Sequence, residues 1–165
     1  MSLATETPMA VTSPPAAAVD GLCPAELAAW RGLLRVHASV LKALDAEMEA
    51  AHGLPLTSYE VLIQLADAPQ HRMRMCDLAD SVLLSRSGMS RLVDRLERDG
   101  LLCRAACTND ARGAFACITQ AGIELLQQAR PTHVAGIRRR VLAQFSEEEL
   151  RLLGAYWNRL ISPVS

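Results

Sequence analysis

The sequence is poor in aromatic residues and in lysine. Phe, Trp and Tyr make up 4% of its 165 residues, Lys42 is its single lysine, and no basic residue precedes Arg31. No apolar run approaches the roughly 20 residues that span a bilayer. We therefore expect no membrane anchor, no signal peptide and a cytoplasmic location.

Catalytic motifs are also missing. The sequence contains no glycine-rich phosphate loop, no His-Glu-x-x-His pair and no nucleophile elbow. These absences predict a protein that is not an enzyme and that uses no cofactor.

The formal net charge of -1 argues against a polybasic binder, but the charge is unevenly distributed. Residues 1–70 hold three basic and eight acidic side chains, whereas residues 71–113 hold eight basic and six acidic ones. Sixteen of the seventeen basic residues are arginine. Arginine suits contacts with phosphate and guanine, although genomic composition explains the same bias.

The apolar spacing predicts a mainly α-helical fold. Residues 1–22 favour a flexible arm, and a long helix is expected from Pro24 to about residue 53. Thr57 and Glu60 have capping-box spacing at the start of a second helix. Trp30 and Tyr59 occupy apolar-periodic positions, which favours the core for both.

The middle of the chain predicts a helix-turn-helix followed by a β-hairpin. A short helix over 75–82 precedes a helix from Arg86 to about Asp99, with Ser85 as its cap and Gly100 as its terminator. Two short strands then flank the turn-rich segment 108–113. Together they form a winged helix-turn-helix.

Two further helices are expected at the C-terminal end. Thr119 is positioned to cap the first, and Ser146 and Glu149 form a capping box for the second. Their apolar residues exceed what one helical pair can bury internally. A helical dimer interface accounts for this excess.

The helix after Ser85 is strongly amphipathic. One face carries Met89, Leu92, Val93 and Leu96, and the opposite face carries Ser87, Ser90, Arg91, Asp94 and Arg98. In a helix-turn-helix the N-terminal residues of the second helix approach base edges in the major groove. An ordinary solvated helix with an internal Asp94–Arg98 pair gives the same pattern.

Four segments together resemble the MarR family, the multiple antibiotic resistance regulators, over about residues 25–161. They are Leu56-Thr57-x-x-Glu60-x-Leu62, Met75-x-Asp77-Leu78-Ala79, the run from Ser85 to Leu101, and Asp110-x-Arg112-Gly113 ending in Ile118-Thr119-x-x-Gly122. The chain has Ala111 where the family commonly has a first wing arginine.

The resemblance implies a homodimeric transcription factor, usually a repressor, that binds double-stranded DNA at a palindromic operator. It implies a helical dimerisation region over 23–55 and 120–162 and a winged helix-turn-helix over 56–119. The DNA-binding residues are then Ser85, Arg86, Ser87, Ser90, Arg91, Arg95 and Arg112. Asp110 would hold the wing in shape, and Arg98 and Arg72 are further candidates for phosphate contacts.

Many members of this family bind a small, often aromatic or phenolic, effector between the two regions. Trp30, Arg35, His37, His52 and Tyr59 are in range of such a crevice, but the sequence assigns no ligand residue. A protein-interaction module on the same fold remains an alternative.

The five cysteines leave a thiol-based redox sensor as another alternative. Cys23 stands near the position that the sensing cysteine occupies in peroxide-responsive family members, but the residues around Cys23 match those sensors poorly. Cys103 and Cys117 are expected to lie opposite each other in the hairpin, provided its turn is centred on Asp110. Cys103, Cys107 and Cys117 lack zinc-site spacing, so no metal is predicted.

Overall fold

The computed structural model describes residues 21–82, 85–106 and 114–161. The predicted flexible arm therefore lies almost wholly outside the described residues. The helices are α1 (Pro24–His52), α2 (Leu56–Asp67), α3 (Met75–Ser81), α4 (Arg86–Arg98), α5 (Gln120–Arg140) and α6 (Glu147–Ile161). The strands are β1 (Arg72–Arg74), β2 (Leu102–Ala106) and β3 (Ala114–Ile118). This mainly helical fold with a small sheet confirms the predicted class.

The three strands form one antiparallel sheet in the order β1-β3-β2. The hairpin of β2 and β3 was expected, whereas β1 was not. The local sequence does not indicate β1, because this strand owes its hydrogen bonds to β3, which lies about forty residues further along the chain. A three-residue strand leaves almost no local signal.

Side-chain caps position three of the helices as predicted. Ser85 Oγ accepts from Gly88 N–H at 3.1 Å, and Thr119 Oγ1 accepts from Gly122 N–H at 3.1 Å. In the predicted capping box, the Ser146 N–H donates to the Glu149 carboxylate and the Glu149 N–H donates to Ser146 Oγ. Gly100, at φ +74°, ends α4 in the left-handed conformation expected of a C-terminal glycine.

The capping box predicted at Thr57 and Glu60 is wrong. Pro55 occupies the N-cap position of α2 and offers no side-chain hydrogen bond. Asp45 of α1 supplies the acceptor instead, since its Oδ1 takes the Leu56 N–H at 2.8 Å. Asp45, eleven positions before Leu56, therefore accepts the hydrogen bond at the start of α2 in place of Thr57.

The chain divides within α1 into two compact units, after Ala38. In the first unit, the described residues 21–38 form the start of α1, where Glu26 accepts a 2.7 Å hydrogen bond from Cys23 N–H. Trp30 is 53% exposed there, so its predicted place in the core is wrong for this chain.

The second unit holds the hydrophobic core. Its buried residues come chiefly from α2, α4 and the sheet, together with Leu44 and Met48 of α1. Tyr59 is 1% exposed, as predicted. By contrast, α6 has no buried residue. None of the described helices is long and apolar enough to cross a bilayer.

Candidate nucleic-acid interface

The two faces of α4 differ as the sequence predicts. Met89, Leu92, Val93 and Leu96 are buried, whereas Ser87, Ser90, Arg91, Asp94 and Arg98 are exposed. The buried face packs against α3, which gives the helix-turn-helix arrangement. The polar face is therefore presented to solvent by a helix whose other side is held in the core.

The N-terminal end of α4 combines a cap with a small residue. The Ser85 hydroxyl lies 3.3 Å from that of Ser87, and both side chains are exposed. A Cβ at Gly88 would lie 3.1 Å from Ser85 Oγ, so glycine keeps the cap uncrowded. Two hydroxyls and the first backbone amides of α4 thus lie at one exposed helix end, where an anion is electrostatically favoured.

Arg91 and Arg95 differ in their surroundings. Arg91 is exposed and makes no hydrogen bond or ion pair with another described residue. Arg95 donates from Nη2 to Ser58 Oγ at 2.7 Å, although the rest of its side chain is exposed. Of the two, Arg91 therefore has its whole donor set unused within the described residues, whereas Arg95 is anchored to α2.

A second anchor joins α4 to the wing. Arg104 of β2 bridges Asp94 Oδ1 at 2.6 Å and Glu97 Oε2 at 2.5 Å, and its N–H donates to Glu97 Oε1. The hydrogen bond to Asp94 raises the pKa of the guanidinium, against an opposing effect of burial. The internal Asp94–Arg98 pair of the solvated-helix alternative is replaced by this longer-range bridge.

The outer face of the wing sheet carries two short rows of side chains. The register places Arg72, Cys117 and Cys103 in one row, and Arg74, Phe115 and Ala105 in the next. The guanidinium of Arg72 lies 5.0 Å from the centre of the Phe115 ring, which is cation–π distance. Sequence reasoning missed this arrangement, because Arg72 and Arg74 reach the wing only through β1.

Several predicted site residues are not tested by this geometry. Asp110 and Arg112 lie outside the described residues, as does the side chain of Arg86. The described part of the site comprises Ser85, Ser87, Ser90, Arg91 and Arg95.

A cavity of about 180 Å³ lies between α2 and α5. Its lining includes Tyr59, Ile63, Leu126 and Arg130. The centres of the Tyr59 and His133 rings lie 4.5 Å apart. Burial raises the pKa of Tyr59 and lowers the pKa of His133. The cavity combines apolar side chains with the Tyr59 phenol, the Arg130 guanidinium and the polar side chains of Asp67 and Gln127.

The other crevice candidates are placed differently. His52 contacts Thr132 through a 2.8 Å hydrogen bond, whereas Trp30, Arg35 and His37 are exposed residues of the first unit. Of the five, Tyr59 is the one that lines the cavity.

Cys103 and Cys117 are directly opposite in the sheet, as expected, and both are free thiols. Cys107 lies outside the described residues. Among the residues that the structure describes, no cluster of three or more His, Cys, Asp or Glu side chains has an arrangement suited to a metal ion.

Comparison with known proteins gives consistent results. Residues 52–113 match the sequence model of the MarR family. The chain is 36% identical over 101 residues to the HTH-type transcriptional regulator MhqR of Bacillus subtilis, covering 61% of this chain and 68% of that one. It is 31% identical over 115 residues to the HTH-type transcriptional repressor YetL of the same organism, covering 67% and 68%.

One solved structure is similar to this chain in both fold and sequence. Sco3205, a MarR family transcriptional regulator from Streptomyces coelicolor in complex with DNA, aligns with a TM-score of 0.79 and 32% identity. The alignment covers 84% of this chain and 90% of that one.

Proposed function

Because this chain belongs to the MarR family of DNA-binding transcriptional regulators, we propose that it acts as a homodimer and represses genes from a palindromic operator. One observation carries the proposal: α4 buries its apolar face and presents Ser87, Ser90 and Arg91 from a capped N-terminal end. Two such helices in successive major grooves require half-site centres about 10 bp apart. The similarity to YetL, a transcriptional repressor, supports the direction of control.

Within this proposal the contacts divide by chemistry. Residues at the start of α4 face base edges, and Arg91 supplies a donor fork for guanine. Arg95, Arg98 and Arg72 contact phosphates, and Arg112 enters the minor groove from a wing shaped by Asp110. The full DNA-binding set is Ser85, Arg86, Ser87, Ser90, Arg91, Arg95 and Arg112.

Dimerisation is supported by the apolar side chains that are exposed on α6 in a single chain. Leu152, Tyr156, Trp157 and Leu160 of α6 are exposed, and Leu160 is 72% exposed. Contiguous apolar exposure on a helix marks an interaction surface. We assign dimerisation to residues 23–55 and 120–162, and DNA binding to 56–119.

The cavity between α2 and α5 is proposed as the effector site. An apolar cavity of about 150 Å³ accepts a benzene-sized ring, and the cavity here is of that order. Arg130 at its wall would pair with a carboxylate or phenolate. A small aromatic anion is therefore the class of effector that this cavity suits.

The testing experiment is recovery of the DNA that the protein binds from its own genome, followed by titration of that operator at several salt concentrations. We expect a near-palindrome and a steep fall in affinity with salt, because phosphate neutralisation releases counterions. A protein-interaction module on the same scaffold would show no such salt dependence, and that result would overturn the proposal.

A further inference from the structure

The outer face of the wing sheet carries two thiols in direct register. Cys103 of β2 is opposite Cys117 of β3, and residues opposite each other in an antiparallel pair project from the same face. Cys103 is exposed and Cys117 is half-buried. Both are reduced in this structure, so the pair is available for chemistry that a buried structural cysteine does not undergo.

The backbone hydrogen bonds fix which kind of pair this is. Thr119 N–H donates to the Leu101 carbonyl at 3.1 Å, two residues along from Cys117 and Cys103. Because pairs alternate along an antiparallel ladder, Cys103 and Cys117 form a hydrogen-bonded pair with Cα atoms about 5.5 Å apart. That separation lies inside the roughly 4.4 to 6.8 Å range of disulfides.

The two thiols differ in their surroundings. Arg72 is the β1 partner of Cys117, so its side chain begins in the same row as both thiols and its positive charge acts on Cys117. Burial, and then the neighbouring Cys103 thiol, raise the pKa of Cys117, and Arg72 opposes them. The exposed Cys103 is therefore the better first nucleophile, and Cys117 is the better resolving thiol.

We propose that Cys103 and Cys117 are a redox modification site, which a low-molecular-weight disulfide oxidises reversibly to an intramolecular disulfide that weakens operator binding. The regulatory half of this proposal rests on the DNA-binding function proposed above.

The chemistry is a two-step exchange. The Cys103 thiolate attacks one sulfur of the small disulfide, which forms a mixed disulfide and releases one thiolate. Cys117 then loses its proton to solvent and attacks Cys103 Sγ, which releases the second small thiol. The protein loses two electrons and two protons in total, and the small disulfide is reduced to two thiols.

A geometric change links the bond to the wing. Cβ atoms of a directly opposed pair lie about 4.5 to 5.5 Å apart, towards the upper end when the pair is hydrogen-bonded, whereas a disulfide holds them at about 3.8 Å. Closing the bond therefore draws β2 and β3 together beside Arg104, which joins β2 to Asp94 and Glu97 of α4. The oxidised pair therefore shifts the strand that holds α4, the helix proposed above to face DNA.

Oxidised glutathione is the probe for the full-length reduced protein, followed by alkylation of the remaining thiols and non-reducing trypsin digestion. The three cysteines of this region fall in separate tryptic peptides, spanning residues 99–104, 105–112 and 113–138. We expect 99–104 to be linked to 113–138 and the linkage to disappear with dithiothreitol. A link to 105–112, a stable glutathione adduct on Cys103, or no reaction would overturn the proposal.

Operator binding is then measured on the same reduced and oxidised samples. We expect the oxidised protein to bind about fivefold more weakly or worse, the lower end of ordinary coupling between sites, with recovery on reduction. Cys103→Ser should bind equally with and without oxidant, and Cys107→Ser should respond as the unmodified chain does. Equal binding by a fully linked sample would overturn the regulatory half, whereas failure of the reduced protein to bind operator would refute the proposed function and leave the peptide result intact.

Discussion

Arg95 of α4 donates a 2.7 Å hydrogen bond to the hydroxyl of Ser58, a residue of α2 that is 1% exposed. Among the described residues no buried side-chain nitrogen or oxygen lacks a partner. Arg95 therefore does two things, since it satisfies a buried hydroxyl and joins α2 to α4, the helix proposed to face DNA.

The cost of removing the Arg95 side chain should depend on whether the Ser58 hydroxyl is present. Arg95→Ala leaves the Ser58 hydroxyl buried and unpaired, which should cost about 1 to 3 kcal/mol of unfolding free energy. In a Ser58→Ala background the same change should cost less. Urea denaturation of the four proteins in this double-mutant cycle measures the difference. Equal costs in both backgrounds would show that the hydrogen bond contributes nothing.

Arg91→Ala tests base recognition. Loss of a bidentate contact to guanine should weaken operator binding by about 1 to 3 kcal/mol and spare non-specific DNA. Titration of operator and scrambled duplexes at one salt concentration measures both affinities. Arg151→Ala, an exposed arginine of α6, is the control and should match the unmodified protein. An equal loss on both duplexes would identify Arg91 as a phosphate contact.

Arg104→Ala tests whether this residue contacts the DNA backbone. Its guanidinium is already neutralised by Asp94 and Glu97. We expect the slope of log affinity against log salt to stay unchanged, whereas removing a phosphate contact lowers it by about 1. Stability should fall by about 1 kcal/mol or less, because the bridge is partly exposed. A lower slope would mean that Arg104 reaches the DNA backbone.

Two glycines should respond to alanine with opposite signs. A Cβ at Gly122 would lie 2.2 Å from the Leu101 carbonyl oxygen and 2.7 Å from Ile118, so Gly122→Ala should cost about 1 to 3 kcal/mol. Gly154 in α6 has open space around it, and Gly154→Ala should add about 1 kcal/mol through helix propensity. Thermal unfolding of the two variants compares them directly.

The proposed dimer gives a further prediction. Leu160→Glu places a carboxylate where an apolar interface is expected, and an unpaired charge is costly to bury. Sedimentation should show a shift from dimer to monomer, while Asn158→Glu on the same helix stays dimeric. A dimer unaffected by Leu160→Glu would place the interface elsewhere.

Local chemistry explains which elements could be predicted. The bounds of α4 followed from Ser85, Gly100 and the apolar spacing between them, which all act within one helix. The cap of α2 was missed because Asp45 acts from a different helix. β1 was missed because its pairing partner is distant in sequence, and the exposure of Trp30 was not encoded in its helical spacing. The Cys103–Cys117 register was predictable because a hairpin turn fixes it.

The complete lack of buried residues in α6 also bears on how the stability of the protein depends on its concentration. A 15-residue helix has little stability in water without packing, so in the proposed dimer the order of α6 depends on the partner copy. Association then becomes part of folding, and by mass action the unfolding midpoint rises with protein concentration. Dilution alone would loosen this helix, so the regulator's abundance sets the fraction of chains that are able to occupy an operator.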